Sequence, residues 1–150
     1  MIVFALRHAD RTSDDDLSPA GLQRAALLAR MLAETGVSIA YRSDARRAAR
    51  TLEPLERKLG AALAIEEVGF SGQDGVEFHI AKIVDSVKAL PPDTVVAVVS
   101  HSNTVGRILE GLGSGPVGTI EPPEFDKLFV LFVGLQDPPT LVMLRYGAAS

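Results

Sequence analysis

The sequence predicts an α/β fold: a three-layer sandwich with a mostly parallel central sheet, helices on both faces and an antiparallel C-terminal hairpin at the edge. Three observations predict it. Short apolar runs of strand character alternate with segments of helical period, four times over. One run, Thr94 to Ser100, is an almost unbroken series of β-branched residues, as in a central parallel strand buried on both faces. Two further runs, Leu128 to Leu135 and Thr140 to Arg145, are separated by Gln136-Asp137-Pro138-Pro139, which reads as a hairpin turn. At 150 residues and 47% apolar content, the chain fits a single domain, residues 1–150, with a real core.

Each element follows from local chemistry. Ile2 to Leu6 is too short for a comfortable helix and suits a buried strand. Ser18 is a good N-cap, and Pro19 fits the first helical position, where its missing N–H costs nothing. Leu22, Ala25, Ala26, Ala29 and Leu32 then form an apolar helical face, with Gly36 as a left-handed stop. Val37 to Tyr41 is the second strand. The second helix starts at Ser43 or Asp44, buries Ala48, Thr51, Leu52, Leu55 and Leu59, is kinked by Pro54 and stops at Gly60. Leu63 to Val68 is a weaker strand, interrupted by Glu66 and Glu67. A glycine-rich loop, residues 69–75, precedes a helix from Val76 to Leu90 whose inner face is Ile80, Ile83, Val84 and Val87. After the strand ending at Ser100, Ser102 or Asn103 caps a helix carrying Val105, Ile108, Leu109 and Leu112, which Gly113 closes. Residues 113–125 form a long surface loop.

Composition narrows the function. The net charge of −4 argues against nucleic acid or an anionic membrane as partner. The absence of cysteine removes thiolate catalysis and Cys-type zinc sites. No basic segment precedes an apolar stretch at the amino terminus, and no apolar run approaches the ~20 residues that cross a bilayer, so a soluble, cytoplasmic protein is expected.

In parallel sheets, ligands bind beyond the carboxyl ends of the strands. The unusual polar residues cluster there: Arg7 and His8 after the first strand, Ser43 to Arg47 after the second, Glu67 near the end of the third and His101 after the fourth. Burying a cation beside an imidazole is costly without a compensating partner, and a bound anion is the simplest one.

These residues carry a family resemblance. Arg7-His8-Ala9 resembles the Arg-His-Gly signature of the histidine phosphatase superfamily, the phosphoglycerate mutase-like proteins. Leu17-Ser18-Pro19-Ala20-Gly21 resembles that family's Leu-Thr-x-x-Gly. Ser43-Asp44-Ala45-Arg46-Arg47-Ala48-Ala49-Arg50-Thr51, continued by Glu53-Pro54-Leu55, is similar to its Ser-x-x-x-Arg-Ala-x-x-Thr element, and Val98-Val99-Ser100-His101 to its second-histidine strand. The four elements occur in order over residues 1 to about 112.

The resemblance implies that His8 is the nucleophile, forming a phosphohistidine that water hydrolyses, with its other ring nitrogen donating to a backbone carbonyl. Arg7 and Arg47 would grip the nonbridging oxygens, and His101, protonated with phosphate bound, would add a donor. Ser102-Asn103 stand where the family commonly has Gly, so their side chains would line the pocket, with Ser102 binding phosphate, and the helix N-termini near Asp44 and Ser102 would supply N–H groups. Neither metal nor cofactor is called for. The resemblance points to Glu67 as general acid, through Glu67-Val68-Gly69-Phe70, with Asp74, Glu77 and Asp10 as alternatives. Ala9 replaces the family's glycine, which requires a negative φ there. Gly60 and Thr94 lie only 34 positions apart, which leaves no room for the mutases' helical cap. The expected pocket is open, as in the compact branch that includes protein phosphohistidine phosphatases. The expected substrate is a phosphorylated small molecule or a phosphoprotein. A non-catalytic phosphate-binding domain and a mutase-type phosphotransferase are the alternatives. His79 reads as a surface or core-edge residue, Arg46 and Arg50 as solvated, and Arg42 as a neighbour of the pocket.

Overall fold

The computed structural model describes residues 1–72 and 75–150. Its elements are β1 (Ile2–Arg7), α1 (Pro19–Leu32), β2 (Ile39–Ser43), α2 (Arg46–Leu59), β3 (Ala64–Val68), α3 (Gly75–Lys88), β4 (Val95–Ser100), α4 (Val105–Gly111), β5 (Lys127–Phe132) and β6 (Thr140–Arg145). The strands form one mixed sheet in the order β3-β2-β4-β1-β5-β6. The first four pair in parallel, and β5 and β6 close one edge in antiparallel fashion.

Strand alternation builds two cores. Val3, Ala5, Val96 and Val98 face α3 and α4, where Ile83, Val87, Ile108 and Leu109 are buried. Leu6, Ala97 and Val99 face the opposite way, onto Leu28, Leu32, Leu52 and Leu55 of α1 and α2. Each fully buried Val, Leu or Ile side chain among these stabilises the fold by about 1.5–3 kcal/mol. The helix pairs lie on opposite faces because the chain steps outward from β1 through β2 to β3 and then doubles back to β4. With crossovers of one hand, reversing direction moves the connecting helix across the sheet.

Most expected boundaries hold within two residues, with physical reasons for the differences. Ser18 caps α1, its hydroxyl accepting from the Gly21 N–H at 3.2 Å. The buried face of α1 is turned from the one expected: Leu22 is exposed, and Leu28 and the Arg24 stem take the inner positions. Arg24 is buried because its guanidinium is fully committed, to the Asp10 carboxylate at 2.7 Å and to the carbonyls of Tyr146 and Ala148 at 2.6 and 2.9 Å. The second strand is displaced to Ile39–Ser43. Neither Ser43 nor Asp44 caps α2, whose N-cap is Ala45. The helix after β4 begins behind Thr104, not Ser102 or Asn103, because the Thr104 side chain turns back to the strand end. No helix among the described residues is long and apolar enough to cross a membrane.

Gly21 belongs to the motif for a steric reason. A Cβ there would collide with the backbone carbonyl of Asp10, where the loop after β1 lies against α1. Gly21→Ala is therefore expected to lower stability by about 3 kcal/mol, read as a shifted midpoint in urea denaturation, with an unchanged midpoint counting against the close approach.

Candidate active site

The register Arg7↔Ser100 between β1 and β4 sets His8 beside His101. The His8 N–H donates to the Ser100 carbonyl at 2.9 Å, and the two imidazole centroids lie 5.3 Å apart. This is where crossovers leave the sheet to opposite faces, the position at which parallel sheets open a crevice. Both rings are buried, 2% and 4% exposed.

The nitrogen roles on His8 follow from its neighbours. Nδ1 lies 2.9 Å from the Ala9 carbonyl, which can only accept, so Nδ1 carries the proton. Nε2 is left with its lone pair and accepts from Arg47 Nε at 3.2 Å. Burial first, then the charges of Arg47, Arg7 and Arg11, hold the His8 pKa down at about 4, against the opposing pull of the Ala9 carbonyl. Ala9 fits in place of glycine: it is fully buried, its N–H donates to Thr51 Oγ1 at 2.9 Å, and among the described non-glycine residues only Asp15 has a positive φ.

The start of α2 supplies the other half. Arg47 and Thr51 are one turn apart on a single face, and the Thr51 hydroxyl donates to the Arg47 carbonyl at 2.8 Å. The guanidinium of Arg47 has a separate partner for each nitrogen: Nε meets His8, NH1 meets Asp15 Oδ1 at 2.7 Å, and NH2 meets His101 Nδ1 at 3.3 Å. Since arginine only donates, His101 Nδ1 accepts, and its Nε2–H donates to Ser43 Oγ at 2.8 Å. Burial, followed by His8, Arg47, His79 and Arg7, lowers the His101 pKa to about 3, so this ring is neutral in the structure.

Arg7 is turned partly toward the chain. Its NH1 donates to the carbonyls of Pro122 and Glu124 at 2.6 and 2.9 Å, and its guanidinium lies 3.9 Å over the Phe125 ring. Its Nε is buried without a hydrogen-bond partner among the described residues. Phe70 forms the opposite wall, stacked on His101 at 3.9 Å, in a loop pinned by Asp44, which accepts from the N–H groups of Phe70 and Ser71 at 3.0 and 3.3 Å.

Of the residues expected at the site, His8, Arg47 and His101 converge, and Arg7 lies over the Phe125 ring, whose other neighbour is His8 at 5.9 Å between ring centroids. Glu67 does not. It pairs with Arg42 at 2.8 Å and is mostly exposed on the edge strand β3, three strand positions or roughly 14 Å from β1. Arg42 is held there as well. Glu77 is exposed and paired with Arg107 at 2.7 Å, and Asp10 is held by Arg24. Asp74 lies outside the described residues. Ser102 lines a groove with Asn103, Gly106 and residues 117–120, and no hydrogen bond among the described residues joins it to His8 or Arg47. The α2 N-terminus is not free for an anion, because the N–H groups of Arg46 and Arg47 donate to the Asp15 carboxylate at 3.0 and 3.2 Å.

Asp15 is a site residue that sequence reasoning misses, its only signal a run of aspartates between two motif elements. Ser43, at the expected strand end, serves as the partner of His101 and not as a helix cap. His79 is no surface or core-edge residue. It is fully buried, with Nδ1 3.1 Å from the Val68 carbonyl and Nε2 2.7 Å from Ser100 Oγ. Ser100 in turn meets Thr104 Oγ1 at 2.6 Å, which accepts from the His101 N–H at 2.9 Å. These bonds compensate the burial of a polar ring beside the core.

Residues 5–68 match the family described as the histidine phosphatase superfamily (branch 1). Comparison with curated proteins finds no match. Solved structures of similar fold include the protein histidine phosphatase SixA complexed with tungstate, at 22% identity over 97% of each chain and a TM-score of 0.66. A mycobacterial glucosyl-3-phosphoglycerate phosphatase in complex with VO3 is similar at 16% identity over 99% of each chain and a TM-score of 0.66. Mycobacterial hydrolase 1 is similar at 15% identity over 99% of each chain, with a TM-score of 0.65. The resemblance read from the sequence is borne out over residues 5–68, and the fold of these solved structures extends over the whole chain.

Proposed function

We propose that this chain, which carries the histidine phosphatase pattern in its first half and the fold of phosphatases throughout, hydrolyses a phosphoryl group through a covalent phosphohistidine on His8. One observation carries the reading above the rest. The Ala9 carbonyl holds the His8 proton on Nδ1, leaving the Nε2 lone pair facing the Arg47 guanidinium, which also meets His101.

Arg47 Nε–H covers that lone pair in the structure, so an incoming phosphoryl group must draw this N–H onto its own oxygen. The Nε2 lone pair then forms the N–P bond as the bond from phosphorus to the leaving group breaks, and the leaving atom keeps the electron pair. In the second step water attacks phosphorus, the N–P bond breaks, and inorganic phosphate departs with His8 neutral again. Arg47 and the free Nε–H of Arg7 stabilise the nonbridging oxygens, and this positioning and charge compensation is most of what phosphoryl transfer asks.

The placement of Glu67, Glu77 and Asp10 bears on the substrate class. The one carboxylate in contact with the cluster among the described residues, Asp15, is ionised. Burial opposes its ionisation, but hydrogen bonds from Arg47 and from the backbone of Arg46 and Arg47 bring its pKa to about 2. It has no proton to give. A leaving group that is weakly basic, or that brings its own proton, suits such a site: the imidazole of a phosphohistidine, or a phenolate. An alkyl phosphate loses the roughly 10²- to 10⁴-fold help of a positioned acid.

The test is hydrolysis of p-nitrophenyl phosphate in excess chelator, with mass-spectrometric trapping of acid-labile phosphate on the peptide containing His8. Turnover with label on His8 supports the reading. Tungstate binding without turnover or label favours the non-catalytic phosphate-binding alternative, and loss of activity on chelation overturns metal independence.

The pH response has a defined sign. With its pKa at about 4, His8 stays neutral and nucleophilic well below the ordinary imidazole value of 6.5, and is lost to protonation only as the pH falls through 4. An NMR titration of the His8 ring is expected to show this midpoint. A midpoint near 6.5 would mean that the ring is hydrated rather than buried among cations.

A further inference from the structure

Asp15 makes three hydrogen bonds, and all three serve the start of α2. Oδ2 accepts from the Arg46 N–H, and Oδ1 accepts from both the Arg47 N–H and Arg47 NH1. The two backbone donors belong to a helix end and do not move with substrate, so the carboxylate is a fixed point. The backbone of Asp15 sits at φ 53°, a left-handed conformation that β-carbon-bearing residues adopt at a cost and that aspartate tolerates better than most. The loop is otherwise held independently. Asp16 reaches Arg46 and Arg50 at 3.4 and 3.5 Å and accepts from the Leu17 N–H at 2.8 Å, while Thr12 N–H donates to the Asp16 carbonyl at 2.8 Å. Asp15 is therefore not needed to close the loop, yet it takes the unfavourable backbone conformation and directs its carboxylate at Arg47.

We propose that Asp15 is a positioning residue for phosphoryl transfer, tethering the Arg47 guanidinium by NH1 so that the group pivots from His8 Nε2 onto the phosphoryl oxygens instead of swinging into solvent. The proposal rests on His8 being the nucleophile. With NH1 anchored to Asp15, only rotation about that contact is needed to carry Nε and NH2 from the two imidazoles to an anion placed between them. Arg47 is thereby pre-oriented before substrate arrives, and orientation of this kind acts on the bound complex more than on binding itself. The same carboxylate offsets one positive charge in a site that otherwise gathers Arg7, Arg11 and Arg47.

The test compares three variants of the full chain with p-nitrophenyl phosphate as probe. Asp15→Asn removes the charge with little change of shape. Asp15→Gly removes the tether while suiting the left-handed backbone, so loss of activity cannot be assigned to strain. Asp16→Asn disturbs the neighbouring carboxylate, which does not touch Arg47. The expected result is a drop in kcat of about 10- to 100-fold for both Asp15 variants with KM changed less than about threefold, and near-native kcat for Asp16→Asn. The second readout is independent of turnover: the Nε–H signal of Arg47 in ¹⁵N NMR is expected to exchange slowly in the wild type, to broaden or vanish in both Asp15 variants and to persist in Asp16→Asn. Asp15 variants that keep wild-type kcat, or that keep the protected Arg47 signal, overturn the proposal. So does an equal loss in all three variants that tracks thermal stability. An inactive wild type would sink the phosphatase reading instead, while the Arg47 signal would still decide whether Asp15 holds the guanidinium.

Discussion

Replacing His8 by alanine is expected to lower kcat for p-nitrophenyl phosphate by roughly 10⁴-fold or more, because the variant loses the atom that forms the covalent bond. Structure should survive the change. The His8 side chain makes one hydrogen bond to its own neighbour's carbonyl and one to Arg47, while the backbone bonds to Ser100 and Thr51 at this strand end belong to residues 8 and 9 themselves. Stability measured by urea denaturation would then separate loss of chemistry from loss of fold. His8→Ala retaining more than about one hundredth of wild-type activity would eliminate the covalent mechanism, since another group or water would have to be attacking phosphorus.

Arg47→Lys is expected to cost about 10²- to 10³-fold in kcat, nearly as much as Arg47→Ala, despite keeping the positive charge. The reason is geometric. The guanidinium presents three nitrogens in one plane to His8, Asp15 and His101, and an ammonium offers a single point with no such fork. Arg46→Lys is the control. Arg46 is largely exposed and meets only Asp16 through its side chain, so activity within about twofold of wild type is expected there. Full activity in Arg47→Lys would show that charge alone, not a planar fork, serves the phosphoryl oxygens.

Much of the fold was legible because its signals are local. The strand–helix alternation, the Ser18-Pro19 start of α1, the continuous Thr94 to Ser100 strand and the Pro-containing turn before β6 each rest on residues within a few positions of one another. Arg7, His8, Arg47 and His101 were legible for a different reason: each sits just beyond the carboxyl end of a strand or at the helix start that follows, and a parallel sheet brings those ends to one edge whatever the details of packing. Glu67 shows where this reasoning stops. It also lies near a strand end, but β3 is the edge strand, and order within the sheet depends on long-range pairing that spacing along the chain does not carry. His79 shows the same limit from the other side. Its position on a helix gave no hint that the Val68 carbonyl and Ser100 hydroxyl, from two other elements, would make its burial tolerable.

By itself, then, the order of residues determined the architecture and that two histidines meet the arginine at the start of α2, since periodicity, caps and strand-end motifs act over one or two turns. Only the tertiary structure decided which nitrogen of His8 is free, which carboxylate reaches Arg47, and that Glu67 stands apart. Those outcomes depend on hydrogen-bond partners and strand neighbours brought together from distant parts of the chain, and a few ångströms of placement separate a buried, compensated group from a solvated one.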